Sequence, residues 1–198
     1  MNLEDYRTVF VSVSLVLILI AASPTLGLVI PFPRGGERFS ELWVLGPNHM
    51  AEDYPFNIGV NETYRVFVGV GNHMGVSSYY LVNVKFRNQT QPLPNATASE
   101  PSQLAPLYEY RAFVVDGGTW ETPLTFRVLE ASRVDDSLLI GRLSIDDVVF
   151  SVNVSARWDS EYKGFYYQLF LELWLYNTEL QSFQFHNRFV GIWLNMTA

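Results

Sequence analysis

The sequence predicts an all-β fold, an antiparallel sandwich of short strands, preceded by one N-terminal transmembrane helix. Three observations carry this. A single uncharged run stands near the start of the 198-residue chain, apolar and polar residues alternate through most of the chain beyond it, and turn-forming clusters punctuate the alternation. The composition agrees: 14 Phe, 11 Tyr and 5 Trp supply too much apolar surface for a disordered chain. The chain has no cysteine, which excludes disulfide staples, thiolate metal sites and a cysteine nucleophile. A net charge of -7 argues against nucleic acid as a partner, because that affinity comes largely from basic side chains.

The uncharged run is Thr8 to Ile30, behind a polar head of seven residues. As a helix it would be about 34 Å long, enough for a hydrocarbon core of about 30 Å. A cleaved signal peptide is the rival reading, and Val9 to Ala22 suits its apolar centre. Against it, Glu4 and Asp5 offset Arg7, and a cut after Ala21-Ala22-Ser23 would leave Pro24 next. The expected organisation is therefore an anchor over 1–30 and an extracytoplasmic body over 31–198. Membrane lipid would be the partner of the helix. Sidedness comes from five N-x-[ST] sequons, at Asn61, Asn88, Asn95, Asn153 and Asn195, where 12 Asn and 25 Ser plus Thr give about one to two by chance. The excess places the body on the cell exterior. Asn61, Asn88, Asn95 and Asn153 are expected in turns, in a loop or on a polar strand face; Asn195 lies in the last strand and fits least well.

The strands come in order. In 62–71, Tyr64, Val66, Val68 and Val70 share one face. In 78–87, Tyr80, Val82, Val84 and Phe86 oppose Asn83, Lys85 and Arg87, which reads as one buried and one solvated face. In 121–130, Leu124, Phe126 and Val128 oppose Thr125 and Arg127. In 144–155, Val148, Phe150, Val152 and Val154 oppose Ser151, Asn153 and Ser155. The run 165–176 is apolar on both faces, so it is expected to be central or covered. Its four Leu leave helix as an alternative, but its β-favouring aromatics select strand. Residues 189–196 close the set. Gly71 to Gly75 and Asp116-Gly117-Gly118 read as hairpin turns. Residues 88–106 hold four prolines and two sequons, and read as a long exposed loop. Seven to nine strands at this spacing predict an immunoglobulin-like sandwich, with surplus residues near 88–106 and 131–164.

The stretch Glu37-Arg38-Phe39-Ser40-Glu41-Leu42-Trp43 is followed by Tyr54-Pro55 and then by Val68-Gly69-Val70-Gly71-Asn72-His73. This order resembles an archaeal family of membrane proteins known as domain of unknown function 1616. The resemblance runs from about Pro31 to the C-terminus. It implies membrane helices joined to an extracytoplasmic immunoglobulin-like part, and it brings no activity.

No chemical constellation emerges. Ser77 and Ser78 lack a G-x-S-x-G elbow. His49, His73 and His186 are widely spaced singletons, and Asp135-Asp136 and Asp146-Asp147 lack calcium-loop spacing. No catalytic, cofactor or metal residues are therefore assigned, and the protein is expected not to be an enzyme. Glu37, Arg38 and Glu41 suit an ion-pair cluster or a headgroup contact. Tyr166, Trp174 and Tyr176 on one face, with Trp43, Trp120, Trp158 and Trp193 elsewhere, suit a sugar-stacking platform or a protein contact. The expected function is a membrane-anchored, N-glycosylated surface module that binds an envelope protein or a glycan. An accessory subunit of a membrane complex is the alternative, and an envelope hydrolase comes third.

Overall fold

The computed structural model describes residues 3–29 and 37–196. The boundary expected at Ile30 and Pro31 lies outside the described residues. The chain forms two compact units, residues 1–37 and residues 38–198. The first holds one helix, α1 (Leu3–Val29). Its side chains are described at 6–19 and 21, and are exposed or, at Ser14, half-exposed. Among the described residues no helix is long and apolar enough to cross a membrane.

The second unit contains ten strands: β1 (Phe39–Leu45), β2 (Asn57–Ile58), β3 (Tyr64–His73), β4 (Ser78–Asn88), β5 (Tyr108–Val114), β6 (Thr119–Val134), β7 (Ser137–Ile145), β8 (Val148–Asp159), β9 (Gly164–Asn177) and β10 (Ser182–Met196). They form one curled sheet with two limbs. The first limb runs β1-β3-β6-β7-β8 and the second β5-β4-β9-β10-β2. The limbs join where β8 passes into β9, through the pairs Trp158–Phe165 and Asp159–Gly164. Among the described residues the strand pairings are antiparallel except the short β2–β10 contact, and the isolated Val60–Val128 bridge is parallel as well. The even-numbered residues of β3, β6 and β9's apolar face do what alternation predicts. Val66, Val68 and Val70 meet Leu124, Phe126, Leu171 and Leu173 in one core, each 2% exposed or less. Polar ties cross this core: Ser40 Oγ lies 2.7 Å from Tyr80 Oη, and the Tyr167 hydroxyl donates to the Leu138 carbonyl.

Two expected hairpins are not hairpins. β3 pairs with β1 and β6, whereas β4 pairs with β5 and β9, so the turn after Gly71 carries the chain between limbs. The Asp116-Gly117-Gly118 turn likewise links β5 in one limb to β6 in the other. Asn72 binds the two crossings together. Its N–H donates to the Gly118 carbonyl at 3.0 Å and its carbonyl accepts from Gly117 N at 2.7 Å. Its fully buried side chain donates to the Val76 and Val114 carbonyls and accepts from Met74 N and Tyr80 Oη. A turn-forming sequence specifies a reversal of direction; it does not specify whether the returning strand stays in the same sheet.

True two-residue hairpins occur at Asp135-Asp136 and Asp146-Asp147, the two acidic pairs. Asp146 and Asp147 both take positive φ (46° and 63°), as a type I′ turn needs, so the expected strand from 144 is broken there. β7 and β8 extend the edge of the first limb, and occupy most of the 131–164 surplus.

The largest departure concerns β4. Asn83, Lys85 and Arg87 are 7%, 2% and 5% exposed, so the face expected to be solvated is buried. The cause is the 88–106 segment, which lies back over the outer face of β4 and β9 and is not a free loop. Lys85 Nζ donates to the Ser102 carbonyl at 2.8 Å, and Ser102 N donates to Glu172 Oε1 at 2.8 Å. β9 is a central strand between β4 and β10, which explains its two apolar faces.

Candidate functional site

The motif residues come together across β1 and β3. Antiparallel register sets Glu41 opposite Gly71 and Trp43 opposite Gly69. Gly69 lies in turn opposite Glu121 on β6. The indole therefore crosses above Gly69 and donates Nε1–H to Glu121 Oε2 at 3.2 Å. A Cβ on Gly69 would stand 2.1 Å from the ring, and one on Gly71 would stand 2.5 Å from Glu41 Oε2. The glycines of the V-G-V-G-N-H stretch thus make room for the Trp and Glu of the E-R-F-S-E-L-W stretch. Glu41 approaches His73 at 3.6 Å, and Phe39 stacks on the same imidazole. Among the described residues no ion pair joins Glu37, Arg38 and Glu41 to one another; Glu37 and Arg38 are exposed. Arg38 instead lines a depression with Met74, Glu179 and His186.

The three histidines stay apart. His49 bonds Glu121 at 2.7 Å and stacks on Phe67. His186 sits at a bulge in β10, where burial, and next Arg188, hold its imidazole below the ordinary range. Among the described residues no group of three His, Asp or Glu could hold a metal ion. Asp146 is occupied by Thr125, through N and Oγ1, and by the Tyr110 hydroxyl. Burial and that carboxylate push the Tyr110 phenol strongly upward, so it remains a neutral donor.

Tyr166, Trp174 and Tyr176 share the outer face of β9 but not one site. The covered stretch Gln168–Phe170–Glu172 separates them. Trp174 packs on Phe185, and Tyr176 on Phe183 with Tyr79 nearby. Tyr166, at the other end, opens into a groove of 410 Å3 lined by Phe56, Gln89, Asp159, Tyr162, Tyr166 and Trp193. Phe56 and Tyr162 each lie against Tyr166, with ring centroids 6.1 and 6.4 Å away. The Arg87 guanidinium stands over the Trp193 ring at 5.4 Å and is itself held by Gln168 Oε1 at 2.8 Å. The indole is thereby fixed while remaining 40% exposed. The Gln89 side-chain oxygen is buried and accepts no hydrogen bond. Of this groove Tyr166 and Trp193 stood out in the sequence as candidate stacking aromatics. Phe56, Gln89, Asp159 and Tyr162 did not, and no local pattern joins them.

A family model described as a domain of unknown function, DUF1616, matches residues 33–136, which is β1 to β6 with their connections. The chain belongs to the DUF1616 family. No curated protein matches it. Solved structures that resemble this DUF1616 chain include a β-glucosidase from Listeria innocua in complex with gluconolactone, at TM-score 0.42 and 9% identity over 86% of this chain. The match covers 18% of that much longer enzyme. A PapD-like domain of human CEP192 aligns with 86% of this chain and 92% of its own, at TM-score 0.30 and 9% identity.

The sequons of the DUF1616 chain differ in access. Asn61, Asn95 and Asn153 are exposed. Asn88 is the last residue of β4 rather than a loop residue. It is half-buried, and its amide donates to the Ser155 carbonyl at 2.7 Å. Asn195 is 6% exposed and its amide donates to Asn57 Oδ1 at 3.0 Å.

Proposed function

We propose that this DUF1616 protein is a membrane-anchored, N-glycosylated module of the cell exterior that works by binding. The observation that carries the reading is α1. Its large apolar side chains from Val9 to Leu19 are 52–75% exposed and succeed one another around every side of the helix. A helix apolar all round, with no polar stripe for water, belongs in lipid or inside a larger core. The described residues of α1 do not by themselves make a membrane span, and the length for lipid comes from the sequence, where the uncharged run is Thr8 to Ile30. Exposed acceptors at Asn61, Asn95 and Asn153 support an exterior body. The two limbs, closing on one disulfide-free core, support reading the curled sheet as an immunoglobulin-like sandwich.

The test is intact-mass analysis of the native protein after membrane fractionation. The expected result is a membrane-bound chain that retains residues 1–30 and carries glycan at Asn61, Asn95 or Asn153, with none at Asn195. A leaderless or soluble-fraction protein of unmodified mass would overturn it.

A further inference from the structure

We infer that the groove between β9, β10 and the β8–β9 turn binds a neutral oligosaccharide; this rests on the binding-module reading above and gives it a ligand class.

The lining decides the class. Phe56, Tyr162, Tyr166 and Trp193 offer aromatic surface, 46%, 67% and 40% exposed at Phe56, Tyr162 and Trp193. Open aromatic faces of this kind suit the C–H faces of pyranose sugars, which are flat, apolar and rimmed with hydroxyls. Asp159 uses Oδ1 to cap the turn, accepting from Glu161 N at 2.9 Å and Tyr162 N at 3.0 Å. Its other carboxylate oxygen is left for a ligand. The Tyr162 hydroxyl, the Trp193 indole N–H and the Gln89 amide bring donors to the same lining. An acceptor and several donors beside open aromatic faces suit a ligand rich in hydroxyls, which both donate and accept.

Charge excludes the neighbouring classes. The lining has a carboxylate, and the nearby Arg87 guanidinium is covered and already held by Gln168, so uronates and phosphates meet repulsion without a free cationic partner. An aromatic cluster with an aspartate also suits quaternary ammonium ligands. Here, however, the Trp193 ring already has Arg87 over it, and a second cation would be repelled.

The groove is longer than one ring. A second depression, of 420 Å3, is lined by Val44, Tyr54 and Val190 to Trp193, and shares Phe56 and Trp193 with the first. The pair of depressions suits consecutive sugar units.

The experiment is calorimetric titration of the full chain in detergent, produced in a host without N-glycosylation, with maltohexaose, cellohexaose, chitohexaose and mannohexaose. Hexagalacturonate and choline are the charged comparisons. At least one neutral hexamer is expected to bind with Kd below about 1 mM, tenfold or more tighter than either charged probe. Trp193→Ala and Tyr162→Ala are each expected to weaken it about tenfold. Tyr162 is 67% exposed, so removing its ring leaves the Tm within about 2 °C of the wild type's. That readout separates a ligand contact from a fold contact. The inference is overturned if no neutral hexamer binds, if binding ignores both substitutions, or if choline or the uronate binds tighter. It is also overturned if Trp193→Ala only dissolves a dimer. Repeating the titration on native glycosylated protein separates two sources of sugar. Binding lost there and restored by deglycosylation points to the chain's own glycan, and binding retained points to a free one. A soluble-fraction protein that still binds a hexamer would refute the anchor and leave the groove standing.

Discussion

Lys85 and Glu172 lie diagonally across β4 and β9 with Nζ and Oε2 2.9 Å apart, and both hold the same main-chain unit, Ser102. Their side chains are 3% and 0% exposed. Trp174 Nε1 adds a further donor to the carboxylate at 3.3 Å. The pair is thus a three-part clamp that fastens the 88–106 strap to the sheet.

Lys85→Met should destabilise the protein by about 3–5 kcal/mol, because Glu172 is left buried without its counter-charge. The double variant Lys85→Met with Glu172→Leu should be no worse than the single one, and its remaining cost of about 2 kcal/mol is the unpaired N–H and carbonyl of Ser102. Urea unfolding of the wild type, the two single variants and the double variant checks this. Simple additivity of the two single effects would contradict it.

Gly69→Ala should cost about 1–3 kcal/mol, since the new methyl meets the Trp43 ring and the indole must leave Glu121. A red shift in tryptophan emission should accompany the loss. Removing the indole first, with Trp43→Ala, should make Gly69→Ala nearly silent.

Asn72→Leu keeps the side-chain volume and deletes four hydrogen bonds at the joint of the two crossings. The expected loss is at least about 2 kcal/mol, from buried groups left unpaired. Amide exchange should quicken at Val76 to Ser78 and at Gly117 before it does elsewhere. Uniform acceleration throughout the body would count against a local joint.

His186 gives a pH dependence. Its folded pKa is lowered from 6.5, chiefly by burial and secondarily by Arg188. The unfolded chain therefore takes up a proton that the folded chain resists. Stability is fully present above about pH 6.5 and falls as the pH drops below it. His186→Gln should flatten the fall in Tm between pH 7.5 and 5.5. An unchanged slope would assign the effect to other groups.

Alternation made much of the core legible. Val66, Val68 and Val70 face inward because a β-strand has period two, and nothing distant alters that. The two-faced apolar run 165–176 was legible as a central or covered strand for the same reason. Lys85 and Arg87 were not. Charge at a strand position ordinarily marks water; the strap folding back from 88–106 covers Lys85, while Gln168 and Trp193 cover Arg87. The motif around Trp43 was visible as a motif, but its reason lay in Gly69, which becomes its neighbour only through the β1–β3 register. The groove was the least legible part. Tyr166 and Trp193 were visible as stacking aromatics, but Phe56, Gln89 and Asp159 are ordinary residues in sequence, and only the curl of the sheet brings them together.

The position of β4 also bears on how the chain is made. As the protein emerges from its N-terminus, β1, β3, β6, β7 and β8 can complete the first limb by Asp159. β4 then has only β5 beside it, and waits for β9 and Glu172. During that interval its open edge is a template for the wrong partner. A lysine in the middle of that edge strand resists pairing with other chains. Lys85 therefore has two successive duties: it guards the unfinished sheet as a lone charge, and once β9 arrives it becomes half of the clamp that seals it.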